Sequence, residues 1–119
     1  MSDVLRVGIV GCGMIAKKNH LPGFASAGGW KVTALCDIRP ERMAEKAAEF
    51  GLAEAARFEK DTDLFASGLV DAVAICTPND CHYPQTLAAC AAGRHVLCEK
   101  PMAGSLDQCT RMIEAAKKA

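Results

Sequence analysis

The sequence predicts an α/β fold, a doubly wound parallel sheet with strands in the spatial order 3-2-1-4-5. Three observations predict it. Short apolar runs alternate with segments of helical periodicity along all 119 residues. The first run, Val4 to Val10, passes straight into the small-residue turn Gly11-Cys12-Gly13. The run Asp71 to Cys76 is almost continuously apolar, as suits a strand buried on both faces. Strands separated by helices pair in parallel through right-handed crossovers, and helices then cover both faces of the sheet.

The elements follow in order. Val4 to Val10 is β-branched and reads as a buried strand. A helix opens near Gly13 and runs to Ser26, broken or kinked at His20-Leu21-Pro22. Trp30 to Cys36 is the second strand, ending at Asp37, and Pro40 suits the first turn of the next helix. Met43, Ala44, Ala47 and Phe50 recur at helical spacing before the stop at Gly51. Ala55 to Phe58 is a short third strand and Thr62 to Ala66 a short helix closed by Gly68. Beyond Asp71 to Cys76, Asn79 or Asp80 is placed to cap a helix that runs to Ala92 and stops at Gly93. His95 to Cys98 is the fifth strand. Ser105 and Gln108 have capping-box spacing, and Leu106, Cys109, Met112, Ile113 and Ala116 form an apolar stripe behind them.

Half of the residues are apolar, enough to bury a core, and 14 Lys and Arg balance 14 Asp and Glu. That balance argues against a nucleic-acid or membrane-surface partner. No apolar run approaches the roughly 18 residues of a spanning helix, and the opening MSDVLRVGIVG is not a signal peptide. Seven cysteines stand at 12, 36, 76, 81, 90, 98 and 109, with no Cys-x-x-Cys pair, and the three histidines complete no zinc spacing. They read as buried or half-buried free thiols of a reduced, cytoplasmic protein, with no metal site expected. Residues 1–119 form one domain, and no residues remain after the last helix for a sixth strand. The chain therefore reads as an isolated part of something longer.

Chemistry gathers where strands end. Gly11-Cys12-Gly13-Met14-Ile15-Ala16 is a G-x-G-x-x-A turn between a strand and a helix. Gly11 permits the tight turn, Gly13 lets backbone approach a pyrophosphate, and Ala16 packs the helix on the sheet. The helix then aims its first N–H groups at the phosphates. Asp37, 26 residues after Gly11, is placed to accept hydrogen bonds from both hydroxyls of an adenosine ribose and to repel a 2′-phosphate. This favours NAD over NADP, although Arg39 is a group that binds a phosphate or stacks on adenine. Thr77-Pro78-Asn79 follows the fourth strand, with Pro78 fixing the turn. His82 lies within a helical turn of Asn79, where a surface or capping role is commoner than catalysis. Glu99-Lys100-Pro101 follows the fifth strand, and a lysine there can hold a substrate hydroxyl or lower its pKa. The Lys100–Pro101 bond is open to either isomer.

Gly11-Cys12-Gly13-Met14-Ile15-Ala16, Val70-Asp71-Ala72-Val73, Thr77-Pro78-Asn79, His82 and Glu99-Lys100-Pro101, in this order and spacing, resemble the amino-terminal Rossmann half of the Gfo/Idh/MocA oxidoreductases. The resemblance runs over essentially the whole chain. It implies hydride transfer between a nicotinamide cofactor and a sugar, cyclitol or related hydroxyl compound. It further implies that Gly11, Gly13, Met14 and Ile15 cradle the pyrophosphate and Asp37 the adenosine ribose. Thr77, Asn79 and His82 would border the nicotinamide half, Glu99 would meet the cofactor ribose, and Lys100 would be the catalytic lysine. Members carry a second α/β domain that supplies substrate contacts and further catalytic groups. This chain ends before it, so cofactor binding without turnover is expected. Two other readings compete: a stand-alone NAD-binding sensor, and a methyltransferase using a similar Gly-rich turn and acidic residue.

Overall fold

A computed structural model describes residues 4–119. Five strands, β1 (Leu5–Val10), β2 (Trp30–Cys36), β3 (Ala56–Phe58), β4 (Ala72–Ile75) and β5 (His95–Cys98), form one sheet in the order β3-β2-β1-β4-β5. Every neighbouring pair is parallel, so the expected topology is the observed one. β1 and β4 are the most apolar runs because they lie centrally. Val7, Ile9, Val73, Ala74 and Ile75 have 1% exposure or less. The two faces of the sheet carry two cores, one around Ile9, Leu35 and Met43 and the other around Phe65, Val73 and Ala89.

The helices are α1 (Leu21–Ser26), α2 (Pro40–Phe50), α3 (Asp61–Ala66), α4 (His82–Ala91) and α5 (Leu106–Lys118). Three of them depart from expectation. The first helix is not simply kinked at Pro22: a wider π-helical turn, Ala16–His20, precedes α1, and the Leu21 N–H reaches back five residues to the Ala16 carbonyl. Proline has no N–H to give and its ring meets the carbonyl four residues back, so the wider turn takes up the misfit. Neither Asn79 nor Asp80 caps α4 through its side chain. The chain enters by a single 3₁₀ turn (Asn79–Cys81) in which the Cys81 N–H donates to the Pro78 carbonyl. The stripe on α5 is only partly buried: Met112 is enclosed, but Leu106 is 84% and Ile113 48% exposed. α5 packs mainly on α4, and one neighbour covers only one line of the stripe. Its cap is as expected on one arm, with Ser105 Oγ accepting from the Gln108 N–H at 3.2 Å, while Gln108 Oε1 accepts from Gly104 rather than Ser105.

All seven cysteines are free thiols. Cys12, Cys36, Cys76 and Cys90 are buried, and burial pushes the first three up to about 12. They act as small apolar fillers. Among the described residues no group of three or more potential ligands could hold a metal, and no helix is long and apolar enough to cross a membrane.

The amino end of the sheet is pinned by Arg6 and Asp71. The guanidinium donates to both carboxylate oxygens at 2.9 and 3.2 Å, and the Arg6 backbone N–H adds a third bond at 2.9 Å. Side-chain hydrogen bonds from Arg6, then its backbone N–H, hold the Asp71 carboxyl down at about 2, against roughly 3.9 in an unfolded chain. A depressed folded pKa contributes stability above the unfolded value and loses it as pH falls toward the folded one. Asp71→Asn should therefore lower the melting temperature much more at pH 7 than at pH 2. An equal deficit at both pH values would show that the charge is not what matters.

Candidate functional site

The four long connections on the carboxyl side of the sheet are each tied to a neighbouring strand by the first N–H beyond their own strand. Gly11 N–H donates to Cys36 O (2.8 Å), Asp37 N–H to Phe58 O (3.2 Å), Cys76 N–H to Val10 O (2.7 Å) and Glu99 N–H to Ile75 O (3.1 Å). The ladder thus runs one residue past the strands and holds these loops around one crevice, at the edge where open parallel sheets bind ligands.

Gly11 has φ +94°, and a Cβ there would stand 2.9 Å from the Cys76 backbone and from Thr77. Gly13 differs. A Cβ on it would meet only Arg42 Nη1, at 3.9 Å, so its open side belongs to the crevice and not to protein packing. That is the cradle a pyrophosphate requires, and a side chain there would fill it. Asp37, 7% exposed, sits beneath the turn: its Oδ2 accepts from the Cys12 N–H and its Oδ1 from the Arg39 N–H, both at 2.8 Å. Each oxygen keeps acceptor capacity for a further donor.

Gly11, Gly13, Asp37, Thr77 and Pro78 line a groove of about 620 Å³. Arg39 is outside its lining; its backbone holds Asp37 while its side chain is exposed. The groove's guanidinium is Arg42, one turn further along α2, with Lys60 as a second cation. Arg42 was not singled out from the sequence; reading α2 as starting at Pro40 would have put position 42 toward the turn. Met14 is 65% exposed and Ile15 packs against the core, so neither side chain lines the groove; their contribution would be backbone N–H groups.

Of the candidates on the connections after β4 and β5, only Thr77 and Pro78 are in the groove's lining; Asn79, His82, Glu99 and Lys100 are outside it. Thr77 donates its hydroxyl to Gln85 Oε1 at 2.5 Å, and Asn79 is exposed on the 3₁₀ turn. His82 is neither a surface nor a capping residue: it is 1% exposed, with Nδ1 2.7 Å from the Pro101 carbonyl and Nε2 2.8 Å from the Thr77 carbonyl. The ring presents one N–H when neutral and two when protonated. Packing of α4 under the loop after β5 encloses it, so it acts on the crevice through those two loops. Glu99 Oε2 accepts from His20 Nε2 at 2.7 Å and its Oε1 from the Lys100 N–H at 3.1 Å. The His20 bond, then the Lys100 N–H, draw the Glu99 carboxyl below the usual range. Lys100 is exposed, makes no ion pair among the described residues, and joins Pro101 through a cis bond.

The pattern of the "Oxidoreductase family, NAD-binding Rossmann fold" matches residues 5–119. The chain is a member of the Gfo/Idh/MocA oxidoreductase family. Membership sets aside the methyltransferase reading. Among curated relatives, this Gfo/Idh/MocA chain is 34% identical over 117 residues to a D-glucoside 3-dehydrogenase of Escherichia coli, covering 98% of the chain and 33% of that protein. It is 36% identical over 111 residues to an inositol 2-dehydrogenase/D-chiro-inositol 3-dehydrogenase of Shouchella clausii, covering 93% and 32%. Its backbone matches the WlbA dehydrogenase from Bordetella pertussis, solved with NADH and UDP-GlcNAcA, at a TM-score of 0.88 and 36% identity over 98% of this chain and 33% of that one. It also matches KijD10, a 3-ketoreductase from Actinomadura kijaniata solved with NADP, at 0.90 and 31% over 98% and 35%. The chain spans about a third of the length of these relatives.

Proposed function

We propose that this chain is the NAD-binding part of an oxidoreductase that moves hydride between a nicotinamide and a sugar, cyclitol or related hydroxyl compound. The observation that carries the reading is the open side of Gly13 and the Asp37 carboxylate on one groove. Gly11, Gly13 and the N–H groups of Met14 and Ile15 would receive the pyrophosphate at the start of the helix. Asp37 would accept from the adenosine ribose, and its charge, with Glu59 and Asp61 on the same groove, disfavours a 2′-phosphate. Arg42 stands ready to offset phosphate charge or to lie on the adenine. Thr77, Pro78, Asn79 and, through the loops it ties, His82 would shape the nicotinamide end.

A bound nicotinamide supplies the hydride donor or acceptor. Glu99 would accept from the cofactor ribose, and Lys100, exposed and without an ion pair among the described residues, would hold the substrate hydroxyl and favour loss of its proton through its own charge. The substrate and its remaining contacts are assigned to a second domain, and the chain alone should bind cofactor without appreciable turnover.

Separate calorimetric titrations of NAD and NADP test this reading, with tighter NAD binding expected. Asp37→Ala should weaken NAD by about tenfold, the scale of one charged hydrogen bond, and narrow the preference over NADP. Because alanine also strands the Cys12 and Arg39 N–H groups, Asp37→Asn, which keeps an acceptor, separates charge from structure. Unchanged selectivity in both variants would remove Asp37 from the ribose site.

A further inference from the structure

We propose that His20 is a positioning residue for Glu99 and Lys100, and that with His82 it grips the Glu-Lys-Pro turn from both flanks. The proposal rests on the reading of that turn as the nicotinamide end of the crevice. On one flank, His20 Nε2 lies 2.7 Å from Glu99 Oε2, with the two side chains only 12% and 22% exposed. Glu99 Oε1 in turn accepts the Lys100 N–H at 3.1 Å, so the carboxylate is tied at one oxygen to the first crossover and at the other to the lysine's own backbone. On the other flank, His82 Nδ1 lies 2.7 Å from the Pro101 carbonyl and Nε2 2.8 Å from the Thr77 carbonyl, and the ring donates to both only when protonated. Residues 99 and 101 are thus each in contact with an imidazole. Between them the Lys100 side chain is exposed and makes no ion pair among the described residues, while its backbone N–H is held by Glu99.

The His20 contact joins residues 79 apart in sequence and depends on the π-helical turn Ala16–His20. Such turns interrupt regular helix and recur at functional sites, where the extra residue redirects a side chain. Here the redirected side chain is the one that meets Glu99. The bond also leaves the carboxylate usable, since each oxygen keeps a lone pair for a ribose hydroxyl. A histidine in this place aims an acceptor without consuming it.

The test compares NADH with ADP, which lacks both the nicotinamide and its ribose, by calorimetry on the full chain. His20→Ala should weaken NADH about tenfold and ADP by less than about twofold, and His20→Gln, whose amide still donates to Glu99, should recover most of the loss. Equal loss for both ligands, or none for NADH, would overturn the proposal. Equal affinity of the unaltered chain for both ligands would instead overturn the reading of the turn as the nicotinamide end. A measurement without ligand keeps the two apart: the Glu99 carboxyl followed by carbon NMR should titrate at higher pH in His20→Ala. An unmoved midpoint would show that His20 does not hold Glu99, and would sink the proposal by itself.

Discussion

Gly11→Ala is expected to destabilise the chain by about 2–5 kcal/mol, through a strained backbone and an overpacked turn acting together. The glycine holds φ +94°, a conformation L side chains rarely adopt, and the new methyl would lie 2.9 Å from the Cys76 carbonyl carbon and oxygen. Neither obstacle is a flexible side chain that can swing aside. The clash is with the first residue after β4, a residue fixed by its own bond to Val10. A domain of this size has about 5–15 kcal/mol of stability in all, so a fall in melting temperature of roughly 10 °C or more is expected. Thermal unfolding followed by circular dichroism measures it, and a change of only a degree or two would mean that the turn relaxes far more readily than its packing implies.

Gly13→Val should do the reverse. A Cβ there meets nothing nearer than Arg42 Nη1 at 3.9 Å, and Gly13 is not among the glycines with positive φ. Stability should stay within about 1 kcal/mol of the unaltered chain. The space the side chain enters is the one a pyrophosphate must occupy, so NAD affinity should fall by about a hundredfold or more, equivalent to roughly 3 kcal/mol. Normal melting with retained affinity would make the turn a purely structural device. The two glycines, separated by one residue, are thus expected to divide the labour between folding and binding.

This division was legible in the sequence because both glycines act through a turn that is local in the chain, and a local turn announces itself by spacing. The same holds for Asp37, which ends a strand and precedes Pro40, and for Pro78 and Lys100, each at a strand terminus. What was not legible depends on helical pitch and on distant partners. Arg42 faces Gly13 only because α2 begins at Pro40 and turns that position toward the first loop. His20 reaches Glu99 only because Pro22 widens the preceding turn, and no pattern in the first 26 residues indicates a partner 79 positions away. His82 was read as a surface or capping residue because one helix seen alone shows nothing of the loop after β5 that closes over it. The α5 stripe failed for the opposite reason: periodicity states which face is apolar, and only the tertiary arrangement states how much of it finds a neighbour.

The buried thiols of Cys12, Cys36 and Cys76 have a practical consequence. Thiolate is the form that alkylating reagents attack, and these groups are both enclosed and held near 12. Cys12 lies inside the Gly-rich turn, Cys36 directly before Asp37 and Cys76 directly before Thr77, so a silent sulfur marks three of the four connections around the crevice. Any opening of one of these three would unmask its own sulfur, and the mass of the alkylated peptide would say which had opened. The molecule therefore carries a built-in reporter of breathing at its crevice, with the half-buried Cys109 on α5 as the internal standard for reagent access.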